Sequence, residues 1–185
     1  MKIWGASETE VAQTYPCDAI AFPHDDVYFR AVAIDAPAQL VFRWLCQLRA
    51  APYSYDWIDN LGRRSPPQLT PGLDHLRIGQ RIMRVFRVVS FEPGEHLTIA
   101  SGLEAPSWLV GDIALSYRLY AAARGTRLVA KVLVAPPPGL YGRLVAAVLP
   151  ILDLVFMRKQ FLTLRHYAER DARATTSEAG SAPFQ

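Results

Sequence analysis

At 185 residues, with 51% hydrophobic and 20% charged side chains, the chain has the size and composition of one globular domain and is too short for two full ones. Twenty Lys and Arg against 17 Asp and Glu leave a net charge of +3; the basic residues are scattered, which argues against a nucleic-acid-binding face. Cys17 and Cys46 are the only cysteines, too few for a disulfide framework and without metal-ligand spacing, so a reducing, cytoplasmic setting is the expectation.

The opening MKIWGASETE lacks the basic segment and apolar run of a secretory signal. Residues 1–27 show no sustained period but contain Trp4, Tyr15, Ile20 and Phe22, which predicts an N-terminal arm docked on the domain. YFRAVAI, Tyr28 to Ile34, reads as the first strand, with Arg30, Val32 and Ile34 on one face and Phe29, Ala31 and Ala33 on the other. Asp35-Ala36-Pro37 starts a helix, with Asp35 as the candidate cap, and Val41, Trp44, Leu45 and Leu48 form one apolar helical face. Pro52 ends it, and YSYDWIDNLG forms a second short helix with Ser54 as N-cap and Gly62 as stop.

A Pro-rich loop over 63–76 leads into four strand candidates: Arg77 to Phe91, Glu95 to Ser101, Gly111 to Ala121 and Thr126 to Ala135. Pro93-Gly94 and Arg124-Gly125 are the tight turns between them. Ile113, Leu115, Tyr117 and Leu119 alternate with Asp112, Ser116 and Arg118, and Leu128, Ala130, Val132 and Val134 alternate with Arg127 and Lys131. Such strands suit an antiparallel sheet with one covered face.

After Pro136-Pro137-Pro138-Gly139, a helix runs from Leu140 to about Arg170, with Leu154, Met157, Phe161, Leu164 and Ala168 as its inward stripe. Leu144 to Phe156 is almost wholly apolar, but Pro150 and Asp153 interrupt it short of the roughly 20 residues of a membrane span. The reading is a buried, Pro-kinked helix and no integral span, with transient membrane contact as the alternative. Residues 172–185 read as a disordered tail after a domain covering 28–171.

A strand, two short helices, a run of antiparallel strands and one long C-terminal helix make an α+β domain in which the helix covers a curved sheet. IDAPAQLVFRWLCQL, YSYDWIDNLG, LRIGQRI, SFEPGEHLTI, GTRLVAKV and FMRKQFLTLRHYAER, with WGASETEV at the start, resemble the START/SRPBCC superfamily, in particular its polyketide cyclase/dehydrase-like branch. The resemblance spans about residues 3 to 170 and rests on the order and spacing of these segments. It implies the helix-grip fold of the birch pollen allergen type, with a hydrophobic cavity between sheet and C-terminal helix. Function in that superfamily ranges over lipid and sterol carriers, hormone receptors and aromatase/cyclases, so fold alone does not select one.

The expected occupant is a hydrophobic small molecule, a lipid, polyketide or aromatic metabolite, held by Tyr53, Tyr55, Trp57, Trp108, Leu115, Tyr117, Ala130, Val132, Met157 and Phe161. For a cyclase or dehydratase, the candidates for moving protons are Tyr53, Asp56 and Tyr117. The bland alternative is that Ser54 caps the helix, Asp56 and Asp59 favour its N-terminus through the dipole, and the aromatics pack. Arg81, Arg84 and Arg87, spaced by three, cannot share one strand face, so one of them is a candidate to point inward. His24, His75, His96 and His166 have no metal-ligand spacing, and no phosphate loop, GxGxxG or GxSxG occurs, so no metal or cofactor is expected.

Overall fold

The computed structural model describes residues 2–20, 26–102 and 107–180. Phe22, His24 and residues 181–185 lie outside the described residues. Seven strands form one sheet: β1 Ile3–Trp4, β2 Asp26–Ile34, β3 Arg81–Ile82, β4 Phe86–Glu92, β5 His96–Ser101, β6 Asp112–Ala121 and β7 Thr126–Ala135. Their spatial order is β1-β2-β7-β6-β5-β4-β3. Every pairing is antiparallel except β1 with β2, which makes the sheet mixed. The helices are α1 Glu8–Val11, α2 Ala38–Cys46, α3 Asp56–Asp59, α4 Ser107–Val110 and α5 Gly139–Gly180. A curved sheet gripped by α5, with α2 and α3 following the first long strand, is the α+β helix-grip architecture.

The alternation in β6 and β7 sorts their side chains as the period of two requires. Towards α5 the sheet presents Tyr28, Val32, Leu115, Tyr117, Ala130 and Val132, all buried in the main core. Its other face carries Phe29, Ala31, Ala114, Val129 and Leu133, packed with Tyr15 and Cys17 of the N-terminal arm. The arm is bound there by polar contacts as well. Cys17 N–H donates to Ser116 Oγ at 2.8 Å, and Lys131 and Arg127 pair with Asp18 and Glu10 at 2.6 and 2.7 Å. At the sheet edge, the carbonyl of Lys2 accepts from the Phe29 N–H at 2.8 Å and from Arg30 Nη1 at 2.7 Å.

The long helix docks by Met157, Phe161, Leu164 and Ala168, each buried. Near its C-terminal half Trp44 of α2 stacks on Tyr167, ring centroids 4.9 Å apart, and donates from Nε1 to Asp171 at 3.1 Å. At the β6–β7 hairpin Gly125 has φ +74°, and a Cβ there would lie 2.3 Å from the Ile34 carbonyl oxygen. Only glycine lets this turn press against the end of β2.

Four local expectations are corrected. Asp35 does not cap α2, whose N-cap is Pro37 without a side-chain bond; its carboxylate accepts from Arg124 at 2.8 Å instead. Tyr55, not Ser54, is the N-cap of α3, and Ser54 hydrogen-bonds the Asp59 carboxylate. The strand expected over Arg77 to Phe91 is broken between β3 and β4, where Met83 and Arg84 adopt φ of 44° and 66°. Residues 172–180, expected to be tail, continue α5.

Candidate functional site

The sheet register lays three rows of side chains under α5. Ile113 and Val134 are cross-strand partners in the first; Ile99, Leu115, Val132 and Tyr28 follow in the second; Leu97, Tyr117, Ala130 and Arg30 form the third. The third row is sealed. Tyr117 is fully buried, its ring 6.1 Å from that of Phe161, and its hydroxyl donates to Gln160 Oε1 at 2.7 Å. Gln160 in turn donates from Nε2 to the Pro52 carbonyl at 2.8 Å, which ties strand, helix and loop together.

Over the other two rows the helix stands off, leaving a cavity of about 370 Å³. Its floor is Tyr28, Ile113, Leu115, Val132 and Val134; α5 contributes Leu149, Asp153, Phe156, Met157 and Gln160. The remaining wall comes from the Leu48–Pro52 segment, Ser54, Asp59 and Asn60, and the β3–β4 turn. Ala50 and Arg84 are both exposed and line the cavity, so they mark its rim. Met83 is held over the cavity by its N–H, which donates to the Leu48 carbonyl at 3.1 Å.

Asp153 brings a buried carboxylate to the α5 side of this cavity, with Arg30 behind it. Arg30 is wholly buried, and its Nη2 lies 2.6 Å from Asp153 Oδ2. The contact is charge to charge but off line for a hydrogen bond, since Oδ2 has no hydrogen-bond partner among the described residues. The two terminal nitrogens of Arg30 also donate to the carbonyls of Lys2, Phe29 and Pro150, while its Nε has no partner among the described residues. Burial pushes the Asp153 carboxyl up to about 6, although Arg30 pulls against that rise. A carboxyl poised there can donate to a carbonyl oxygen or take a proton near neutral pH.

Of the candidates named from sequence, Leu115, Val132 and Met157 line the cavity. Tyr117, Ala130 and Phe161 face the right way but fall in the sealed row. Tyr53 is buried away from the cavity, packed edge-on to Trp44 at 5.9 Å, with its hydroxyl donating to the Pro66 carbonyl at 3.0 Å. Asp56 accepts from Ser65 N–H and Oγ at 2.7 and 2.5 Å and so holds the loop after α3. Tyr55 packs behind the wall against Phe156 at 5.5 Å, while Trp57 and Trp108 are exposed. Burial raises the phenols of Tyr53 and Tyr117 far above their ordinary value, keeping both neutral.

None of the spaced arginines is the buried one: Arg81 and Arg84 are exposed and Arg87, half-buried, donates to the Gly79 carbonyl at 2.8 Å. That role belongs to Arg30. Its place beside Val32 and Ile34 in the strand pattern, with Asp153 alone in an apolar helix, was the available signal. Among the described residues no three His, Cys, Asp or Glu side chains stand together as a metal site.

No protein-family profile matches the sequence, and no curated protein matches it. Solved structures do. The Zhui aromatase/cyclase from Streptomyces sp. R1128 is similar with a TM-score of 0.51 at 19% identity, over 80% of this chain and 96% of that one. A Mesorhizobium loti protein matches with a TM-score of 0.50 at 15% identity, over 78% of this chain and 97% of the other. A Rhodobacter sphaeroides protein gives 0.50 at 16%, over 78% and 93%. At these identities the likeness is one of fold, the helix-grip fold described above.

Proposed function

We propose that this protein binds a hydrophobic small molecule, of the lipid, polyketide or aromatic-metabolite class, between sheet and α5. The observation that carries the reading is the cavity of about 370 Å³, apolar on its floor and polar at Asp153, Gln160 and Asn60. Its size falls within the range of about 300–1,000 Å³ typical of ligand pockets, and apolar walls with a few polar groups are their usual lining. The apolar walls supply affinity; the polar groups orient a ligand oxygen.

Native mass spectrometry of the purified protein, followed by a thermal-shift series with fatty acids and polycyclic aromatics, tests this. A ligand at a hundred times its dissociation constant stabilises the folded state by about 2.7 kcal/mol. Val132→Trp puts bulk into the cavity from its floor, and the variant is expected to fold but to lose that shift. Equal shifts in parent and variant would place the ligand elsewhere.

A cyclase or dehydratase is the second reading, favoured by Asp153 on the cavity wall and by the aromatase/cyclase among the proteins of similar fold. In it Asp153 replaces Tyr53, Asp56 and Tyr117 as the proton-moving group. Asp153→Asn should then retain binding and lose turnover, because the apolar contacts persist while the proton does not. Unchanged turnover in that variant would remove Asp153 from any reaction.

A further inference from the structure

The outer side of α5 does not look like the surface of a helix facing water. Leu140, Leu144, Val148, Ile151, Leu152 and Val155 are all exposed, with Leu140, Leu144 and Ile151 at 82%, 62% and 58%. At about 100° per residue the six fall within an arc of about 120°, and they run for about 22 Å along the axis. Scattered exposed leucines are ordinary, but a continuous stripe of this length marks an interaction surface. Tyr141, at the edge of the same arc, donates to the Leu109 carbonyl at 2.8 Å. That bond sets α4 beside the stripe, with Trp108 74% exposed.

Charge selects the partner. From Gly139 to Ala168 the sole acidic residue is Asp153, which is turned inward to Arg30. Arg143 and Lys159, both exposed, bracket the stripe near its two ends, and Arg158 follows it, set over the Trp4 ring at 5.8 Å. An apolar stripe edged by cations and an exposed tryptophan matches the interface of an anionic lipid bilayer. A second copy of the chain fits less well, since antiparallel pairing would set Lys159 against Arg143 and parallel pairing would set like against like.

We propose that the outer face of the first half of α5, with Trp108, docks on an anionic phospholipid membrane, with the helix lying in the plane of the interface. By length and composition the helix is long and apolar enough to cross a membrane. Its opposite side, however, is buried against the sheet at Met157, Phe161, Leu164 and Ala168, so it rests on the bilayer while still part of the fold. Phe156 and Leu149, which line the cavity, lie next to Leu152 around the helix. Apolar surface therefore continues from the docking face to the cavity without a polar break. The docking stands whether or not the cavity holds a ligand.

Flotation of the full chain with vesicles tests it, using phosphatidylcholine mixed with phosphatidylglycerol and phosphatidylcholine alone. Binding is expected to the anionic vesicles, to weaken with salt, and to be at least tenfold weaker without phosphatidylglycerol, as about 1 kcal/mol per basic residue near the surface implies. Leu144→Glu with Ile151→Glu changes exposed positions only and should lower binding at least about tenfold with the circular dichroism spectrum intact. Arg143→Glu with Lys159→Glu, which leaves the stripe alone, should abolish the preference for phosphatidylglycerol. No flotation, or flotation indifferent to both double variants, overturns the proposal. So does a sedimenting oligomer that Leu144→Glu dissociates while vesicle binding is absent, which would make the stripe a contact between copies.

Discussion

Ending the chain at Pro138 is expected to abolish cooperative unfolding. The cut removes Met157, Phe161, Leu164 and Ala168 from the main core and takes Tyr167 from its stack on Trp44. Each large side chain lost from burial is worth roughly 1.5–3 kcal/mol, against a whole-domain stability of about 5–15 kcal/mol. It also takes from Arg30 its counter-charge Asp153 and the Pro150 carbonyl. Urea denaturation followed by near- and far-ultraviolet circular dichroism gives the measurement. A truncated chain that stays soluble, compact and cooperative would show that α5 is an appendage instead of half the core.

Replacing Arg30 by Met should cost about 3–5 kcal/mol near neutral pH, the usual result of leaving one member of a buried pair uncompensated. The double variant Arg30→Met with Asp153→Leu should recover most of it. The pH dependence follows from the direction of the Asp153 shift. Its carboxyl sits at about 6 in the folded protein against an ordinary 3.8, so the folded state keeps this proton longer than the unfolded one. The stability so contributed is full below about pH 4 and is lost as pH rises through about 6. Because Arg30 pulls the value down, removing it raises the value further. The deficit of the single variant is then largest at about pH 8 and shrinks towards about pH 5. A deficit that does not change with pH would mean that Asp153 stays charged, or is hydrated, without its partner.

Much of the fold is legible because two periods dominate it. Alternation over β6 and β7 and the three-four stripe of α5 each depend on one element facing one core; the two strands match the structure to within a residue, and Met157, Phe161, Leu164 and Ala168 of the stripe are buried. The β3–β4 break was hidden because its turn uses Met83 and Arg84 at positive φ, where glycine or asparagine is the usual sign. The continuation of α5 over 172–180 was hidden by Thr175, Thr176 and Ser177, weak helix formers that follow a helix already nucleated and docked.

The site was half legible for a different reason. Periodicity says which face a residue takes, and it placed Leu115, Tyr117, Ala130 and Val132 together correctly. It says nothing about distance along the strand, and the cavity closes between one row and the next. Where Tyr117, Phe161 and Gln160 meet, three side chains from two elements fill the space; one row away Leu115 and Val132 meet no such group. That outcome depends on sizes summed across elements remote in sequence. The aromatic cluster around α3 misled because density of chemistry is not direction: Tyr53 and Asp56 spend their polar atoms on Pro66 and Ser65.

One backbone oxygen joins the rim of the sheet to its interior. The Lys2 carbonyl receives the Phe29 amide and the Arg30 guanidinium together, and Arg30 carries the charge opposite Asp153. Unseating the two-residue strand β1 would expose the edge of β2 and strip an acceptor from that guanidinium in the same event. Exchange of the Phe29 amide with solvent deuterium and the proton affinity of the cavity carboxyl should therefore change in concert. Anything that displaces the N-terminal arm, including a peptide fused ahead of it, acts at a distance on the polarity of the cavity wall.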